Sequence, residues 1–297
     1  MSSEPIPPRG PIRIAALYRF ARVEDCEALR ARLFQACDEG GVRGTLLVAR
    51  EGLNGTIAGA PEAVSSLIAL IRALPGFDDL EVKFAWADEP PFHRLKVKIK
   101  PEIVTMGQPD LDPAQNAGTY VAPEDWNALI ADPDTFVIDT RNDYEGAVGA
   151  FRGAVQPNTR GFRDFPDWWR NEGRALMDRR GPVKVAMYCT GGIRCEVLSS
   201  LMINRGFQEV YQIDGGIVRY GEARGDAGLW RGELAVFDRR LSTRFTADAE
   251  TIGRCVACEA PTSALRNCAD PACTTLEVRC AACAVDDLEH RCPDRKS

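Results

Sequence analysis

Three short apolar runs constrain the fold of this chain most: Phe136-Val137-Ile138, Val183-Lys184-Val185-Ala186-Met187-Tyr188 and Val210-Tyr211-Gln212-Ile213. They end at Asp139, at Cys189 and at Asp214-Gly215-Gly216 respectively. Runs this short and this rich in β-branched residues read as strands buried on both faces. Between them the pattern is helical. Residues 123–130 form a short helix, and residues 196–205 place Val197, Leu198, Leu201 and Met202 at helical spacing before Gly206, a natural helix stop. Apolar strands alternating with helices predict a parallel sheet covered by helices on both faces. Ligands of such sheets gather outside the carboxyl ends of the strands, and Cys189 stands at one of those ends.

The residues Cys189-Thr190-Gly191-Gly192-Ile193-Arg194-Cys195 therefore form a strand-to-helix turn. In such a turn backbone N–H groups can point inward, and the helix N-terminus adds partial positive charge, so a sulfur at its base is favoured as thiolate. Gly191 and Gly192 permit the tight path, and Arg194 adds a fixed charge. A cysteine ending a strand is more often a plain buried residue. Here the Gly-Gly pair and the arginine favour a nucleophile. Cys195, at the opening of the following helix, is a second thiol that could resolve an oxidised Cys189.

Upstream, residues 13–20 read as a strand, 23–39 as a helix, 45–49 as a strand, 61–74 as a helix with Pro61 in its first turn, and 80–86 and 95–99 as strands. Asn54-Gly55 has the composition of a hairpin turn. This β-α-β-β-α-β-like order predicts a ferredoxin-like, acylphosphatase-like α+β sandwich. Residues 101–118 carry three prolines and no periodicity, as a linker would. The expected division is a ferredoxin-like domain over 1–103, a linker over 104–121, a domain built on the parallel sheet over 122–230 and a cysteine-rich module over 231–297.

Seven of the eleven cysteines lie between Cys255 and Cys292. Cys255-x2-Cys258 and Cys280-x2-Cys283 each fit two corners of a tetrahedral zinc site. The 21 residues between the pairs are just beyond the usual ribbon spacing. With Cys268, Cys273, His290 and Cys292 they would supply eight ligands, enough for two closed structural sites. Cys26 and Cys37, on a predicted helix, read as core.

A net charge of −6 excludes a uniformly basic nucleic-acid binder but not a local basic surface. Arg94, Lys96, Lys98 and Lys100 alternate with apolar residues on a predicted strand and share one face, so they can track phosphates. In residues 159–180, arginines including Arg160 and Arg163 are mixed with Phe162, Phe165, Trp168 and Trp169, a composition suited to single-stranded RNA. No apolar run approaches the roughly 18 residues that span a bilayer, and no secretory leader is evident; the expected location is the cytoplasm.

Asp139-Thr140-Arg141, Glu145 followed by Gly149, Gly153-Ala154, the Cys189 loop and Asp214-Gly215-Gly216 together resemble a rhodanese domain, with Gly149-Ala150-Phe151 where that family usually has Gly-His-Ile. The four residues between Cys189 and Arg194 are the spacing of sulfur-handling members; related dual-specificity phosphatases use five and usually place His where Tyr188 stands. Over nearly its whole length, including EGLNGTIAG and GTYVAPEDWNALIADPDTFVIDTRNDYE, the chain resembles the rhodanese-containing tRNA uridine hydroxylases. The resemblance implies oxygen-dependent formation of 5-hydroxyuridine at the wobble position. It implies tRNA, through its anticodon arm, as partner, Cys189 as an essential thiol or persulfide, and Asp139 and Arg141 in support. Two rivals stand beside it: a sulfurtransferase carrying sulfane sulfur on Cys189, and an RNA- or metal-binding adaptor with an idle rhodanese domain. No flavin, haem or nucleotide motif is apparent, and the sequence names no electron donor, sulfur donor or oligomeric state.

Overall fold

The computed structural model describes residues 10–108, 110–179, 181, 184–225, 227–237, 240–268 and 275–285. The chain divides into two compact units at residue 109.

The first unit orders its elements as β1 (Ile12–Phe20), α1 (Cys26–Glu39), β2 (Arg43–Ala49), β3 (Gly52–Gly59), α2 (Pro61–Arg72), β4 (Glu81–Ala87) and β5 (Leu95–Ile99). Its sheet runs β4-β1-β3-β2-β5. The first four strands pair antiparallel in the ferredoxin-like order, and β5 adds itself parallel to β2. Helix α1 starts where the Asp25 carboxylate accepts the Ala28 N–H at 2.9 Å, an N-cap that places the start three residues later than hydrophobic pattern alone implies. Leu29, Leu33, Val64, Leu67, Ile68 and Ile71 bury the two helices against Ala15, Leu17, Leu46, Val48, Leu53, Ile57 and Val97 of the sheet.

Asn54-Gly55 is not the hairpin turn. It lies inside β3, which pairs on both sides, and the reversal falls at Arg50-Glu51. Glycine is needed at 55 because a Cβ there would sit 2.1 Å from the Thr45 carbonyl oxygen. The edge strand β5 does alternate: Leu95 and Val97 pack into the core, while Arg94, Lys96, Lys98 and Lys100 are exposed.

In the second unit, β6 (Thr119–Val121), α3 (Pro123–Ala131), β7 (Thr135–Asp139), α4 (Asp143–Val148) and β8 (Gly149–Phe151) come first. Strand β6, at the end of the stretch expected as linker, joins a fully parallel sheet with β9 (Lys184–Tyr188) and β10 (Val210–Ile213), in the order β6-β10-β9-β7. Helices α3 and α8 (Gly216–Arg224) bury Trp126, Ile130, Ile217 and Tyr220 against Val137, Ala186, Tyr188 and Ile213. Helix α7 (Ile193–Asn204) packs against β9 and β10, with Leu198 and Met202 buried. Phe151, in the position of the usual Gly-His-Ile motif, is the hub of an aromatic cluster with Tyr188 and Tyr220 at 4.8 Å, Trp230 at 5.2 Å and Trp126 at 6.0 Å between ring centroids.

The aromatic residues of 159–180 are not a stacking surface. A 3₁₀ turn (Phe162–Asp164), α5 (Phe165–Trp168), a π turn (Trp169–Gly173) and α6 (Arg174–Asp178) follow one another, and Phe162, Phe165, Trp168 and Trp169 are all buried. Gly173 closes the π turn where a Cβ would come within 2.7 Å of the Trp168 ring and 2.8 Å of Trp169. The rings hold the segment to the domain, and Arg160 and Arg163 remain exposed.

After β11 (Trp230–Gly232), paired antiparallel with β8, come β12 (Leu234–Ala235), β13 (Ser242–Thr243), β14 (Leu265–Asn267), β15 (Leu276–Val278) and α9 (Ala281–Val285). Ala235, Leu265 and Val278 form a small core with Val148 of α4, against which Tyr144 and Leu241 pack. Among the described residues no helix is long and apolar enough to cross a membrane.

Candidate active site

Strand β9 delivers Cys189 to the carboxyl end of the parallel sheet, and α7 begins at Ile193, inside the expected loop. Arg194 and Cys195 therefore occupy the first turn of the helix. Gly192 has φ +106°, a conformation that side chains disfavour, and its N–H donates to Cys189 Sγ at 3.0 Å. Asp214-Gly215-Gly216 supports the loop from the next strand. Gly215 and Gly216 both have positive φ, which turns α8 so that the Ile217 N–H donates to the Cys189 carbonyl at 3.0 Å and the Val218 N–H to the Thr190 carbonyl at 3.1 Å. A Cβ on Gly216 would meet the Thr190 carbonyl oxygen at 2.6 Å and that of Cys189 at 2.7 Å.

Arg194 is held by a buried partner. Its guanidinium donates to both Glu145 oxygens, at 2.6 and 2.8 Å, and the Thr190 hydroxyl donates to Glu145 Oε2 at 3.0 Å. Glu145 sits in the first turn of α4, where it also accepts the Asn142 N–H at 3.2 Å as half of a capping box. Burial alone would raise the Glu145 carboxyl; the charge and hydrogen bonds of Arg194, the charge of Arg141 and the Asn142 N–H hold it below its usual range. Asp139 and Arg141 form a second buried pair. Arg141 Nε and an Nη donate to Asp139 at 2.9 and 2.6 Å, the same Nη donates to the Gly149 carbonyl at 2.6 Å, and the Tyr188 hydroxyl donates to Asp139 at 2.9 Å. This pair ties β7, β9 and the start of β8 together.

The two thiols differ sharply. Burial pushes the Cys189 thiol up, but the Cys195 side chain, the Arg194 charge and the N–H groups of Gly192 and Cys195 outweigh it and hold Cys189 well below the ordinary thiol value of 9.0. Burial, the hydrogen bond to Cys189 and the charge on Cys189 push Cys195 well above it. Thr140 Oγ1 lies 3.8 Å from Cys195 Sγ. The pair thus favours the anion on Cys189 and the S–H on Cys195. Cys189 has 0% exposure, so a substrate atom reaches its sulfur only when a neighbouring group moves.

The sulfurs of Cys255, Cys258, Cys280 and Cys283 lie within 4.8 Å of one another, an arrangement that can hold one metal ion. The β14–β15 hairpin bridges the 21-residue gap and returns the second pair to the first. Cys268 is buried and outside this group. Cys273, His290 and Cys292 lie outside the described residues. Cys37 is core, its thiol pushed by burial up to about 11.

The loop, Asp139 and Arg141 converge, as do four of the eight expected metal ligands; Arg94, Lys96, Lys98 and Lys100 belong to the other compact unit. Glu145, Thr140 and the supporting Gly216 were legible only as family landmarks. The local signal for Glu145 was an acid three residues after Asn142, a capping-box spacing that does not reveal a second partner on another helix.

Residues 12–103 match the UPF0176 acylphosphatase like domain, 122–223 the Rhodanese-like domain and 231–295 the Rhodanase C-terminal family. The tRNA uridine(34) hydroxylase of Gluconobacter oxydans (strain 621H) is 53% identical over 252 residues, 84% of this chain and 80% of the relative. That of Mesorhizobium japonicum is 51% identical over 261 residues, covering 88% of this chain and 83% of the relative. That of Caulobacter vibrioides (strain NA1000 / CB15N) is 55% identical over 234 residues, 77% and 74%. Identity at this level runs through both compact units, and the chain belongs to the tRNA uridine(34) hydroxylase family.

Proposed function

We propose that this protein is a tRNA-modifying enzyme that hydroxylates the wobble uridine at C5, with Cys189 as its essential thiol. Family membership carries the reading, and the Cys189 thiolate supports it. Uracil is electron-poor at C6, so a thiolate adding there raises electron density at C5, where the oxygen must enter. Expelling the thiolate and losing the C5 proton then restores the ring. With molecular oxygen as co-substrate, one atom enters the base and the other leaves as water, which requires two electrons and two protons from a separate reductant. Arg194, fixed by Glu145, keeps the sulfur anionic between turnovers, and Cys195 supplies the neighbouring S–H. Asp139 and Arg141 position the loop without touching substrate. The wobble base lies in a single-stranded loop, so presenting it costs less than flipping a paired base.

Arg94, Lys96, Lys98 and Lys100 on the exposed side of β5, and Arg160 and Arg163 beside the buried aromatics, neutralise phosphates of the anticodon arm in this reading. The four-thiol group takes structural zinc, since an all-sulfur set of four donors suits a closed tetrahedral site. Cys255, Cys258, Cys280 and Cys283 would hold it, and it would contribute folding energy to a module with few large apolar residues. The working division is 1–103, 104–121 with β6 at its end joined to the parallel sheet, 122–230 and 231–297, in the cytoplasm where tRNA is found.

Nucleoside mass spectrometry of tRNA from cells with and without the gene tests the function. Loss of 5-hydroxyuridine without the gene, restored by wild type and not by Cys189→Ser, is the expected result; an unchanged nucleoside profile overturns it. One observation keeps sulfur transfer as a second reading: the N–H and guanidinium surroundings of Cys189 suit a persulfide anion as well as a thiolate. Sulfur-labelled, cyanide-sensitive Cys189 together with normal 5-hydroxyuridine in the deletion strain would favour it.

A further inference from the structure

Phe237 follows β12 by two residues and is 56% exposed. A single exposed phenylalanine is ordinary. What sets this ring apart is its neighbour. The Arg194 guanidinium lies 5.8 Å from its centroid, within cation–π range, and Arg194 is fixed by Glu145 in the first turn of the helix that leaves the Cys189 loop. The ring is therefore referenced to the nucleophile through one rigid side chain. Its backbone is anchored too. Leu234 lies in the domain core, Ala235 packs in the small core beside Tyr144, and the Val236 N–H donates to the Leu241 carbonyl at 2.9 Å.

An aromatic ring held on one side by a guanidinium and more than half exposed is an arrangement that single-stranded bases stack on. Uracil has a flat apolar face and, in an unpaired loop, no base-pair partner to hold it in place. We propose that Phe237 is the platform on which the target uracil stacks at the entrance to the Cys189 loop. This rests on the reading that the chain acts on a wobble uridine, and it adds the residue that orients that base. It makes Phe237 a substrate-binding residue, with Arg194 serving both the ring and the thiolate.

The test uses the full chain with Phe237→Ala, Phe237→Leu and Phe237→Trp. Binding to an anticodon stem-loop carrying 2-aminopurine at position 34 is followed by fluorescence, and hydroxylation of tRNA by nucleoside mass spectrometry. Wild type and Phe237→Trp should quench the probe, and the Ala and Leu variants should not. The Ala and Leu variants should lose about ten- to a hundredfold in kcat/KM, the range expected for one lost base–aromatic stack, while the Trp variant stays within about threefold. The rate of Cys189 alkylation and its pH profile should match wild type in all three, since a merely structural ring would disturb Arg194 and hence the thiolate. Wild-type-like kcat/KM in Phe237→Leu, no quenching by wild type, or a shifted alkylation profile overturns the proposal. Wild type that quenches the probe but leaves tRNA unmodified counts against hydroxylation while supporting the platform, so the two failures are separable.

Discussion

The chain has two cysteine centres, and the same side chain stands in opposite surroundings in them. At the parallel sheet, Cys189 meets an N–H at 3.0 Å, the Arg194 charge and one further thiol. In the C-terminal module four thiols converge within 4.8 Å; Cys255 is brought to about 6 against its burial by the N–H groups of Cys280, Ala257 and Cys258, and Cys283 is pushed up to about 12 by the hydrogen bonds and charge of its neighbours. One thiolate in a cradle of donors is a nucleophile. Four thiols crowding one another invite a cation to relieve them. Surroundings, not residue type, set the two centres apart.

Cys189→Ser should break the first centre outright, with no 5-hydroxyuridine detectable, whereas Cys195→Ser should only reduce it. Equal loss in both would make the pair the functional unit; full activity in Cys189→Ser would end the mechanism. Next in size is Glu145→Ala, which leaves Arg194 buried and unpaired and should cost about 3–5 kcal/mol in unfolding experiments. Glu145→Gln gives the pH signature. The folded carboxyl lies below 4.5, so its contribution is full above pH 4.5 and is lost as the pH falls through the folded value; the gap between wild type and Glu145→Gln should close over that acid range. A gap independent of pH would mean the carboxylate charge is not what holds Arg194.

Chelator treatment, or Cys258→Ser, addresses the second centre. It should release about one zinc per chain and lower the thermal midpoint by several degrees, because metal affinity there is folding energy. Well-folded protein that never contained metal removes that half of the comparison. The first centre answers differently to pH: Cys189 is held well below 9.0, so its alkylation rate should begin to fall at a lower pH than that of an ordinary thiol, whose rate drops about tenfold per pH unit below its own pKa. The smallest effect comes from replacing Arg94, Lys96, Lys98 and Lys100 by Gln. tRNA binding should weaken severalfold and its salt slope flatten, while zinc content and Cys189 alkylation stay at wild-type values. Unchanged affinity and slope would make that face merely solvated.

Much of this was legible in the sequence, for a physical reason that differs by element. Strands β7, β9 and β10 announce themselves because a strand buried on both faces must be apolar throughout, and the Cys189 loop because glycines and an arginine after a strand have few other uses. Asn54-Gly55 misled because a glycine that admits a neighbouring strand's carbonyl and a glycine that turns a hairpin look alike in one dimension. The tryptophans of 159–180 misled because an aromatic beside arginine reads as a base platform until the fold shows which way it faces. Spacing singled out the four of the eight expected metal ligands that converge, since Cys-x2-Cys closes its own turn; Cys268 has no partner at that spacing and falls outside the group.

What the sequence determined by itself was set by local periodicity and by chain-neighbour chemistry: most of the longer strands and helices, the turn that carries Cys189 and the two Cys-x2-Cys knuckles. What only the tertiary structure decided were the pairings between residues far apart in the chain. Glu145 meets Arg194 across 49 positions, α8 holds the Cys189 loop through the carbonyls of Cys189 and Thr190, the two knuckles meet over a hairpin, and Phe237 rests on Arg194. Such contacts leave no periodic trace, because a buried charge is satisfied by any partner that the packing brings within hydrogen-bond reach, wherever that partner stands in the sequence.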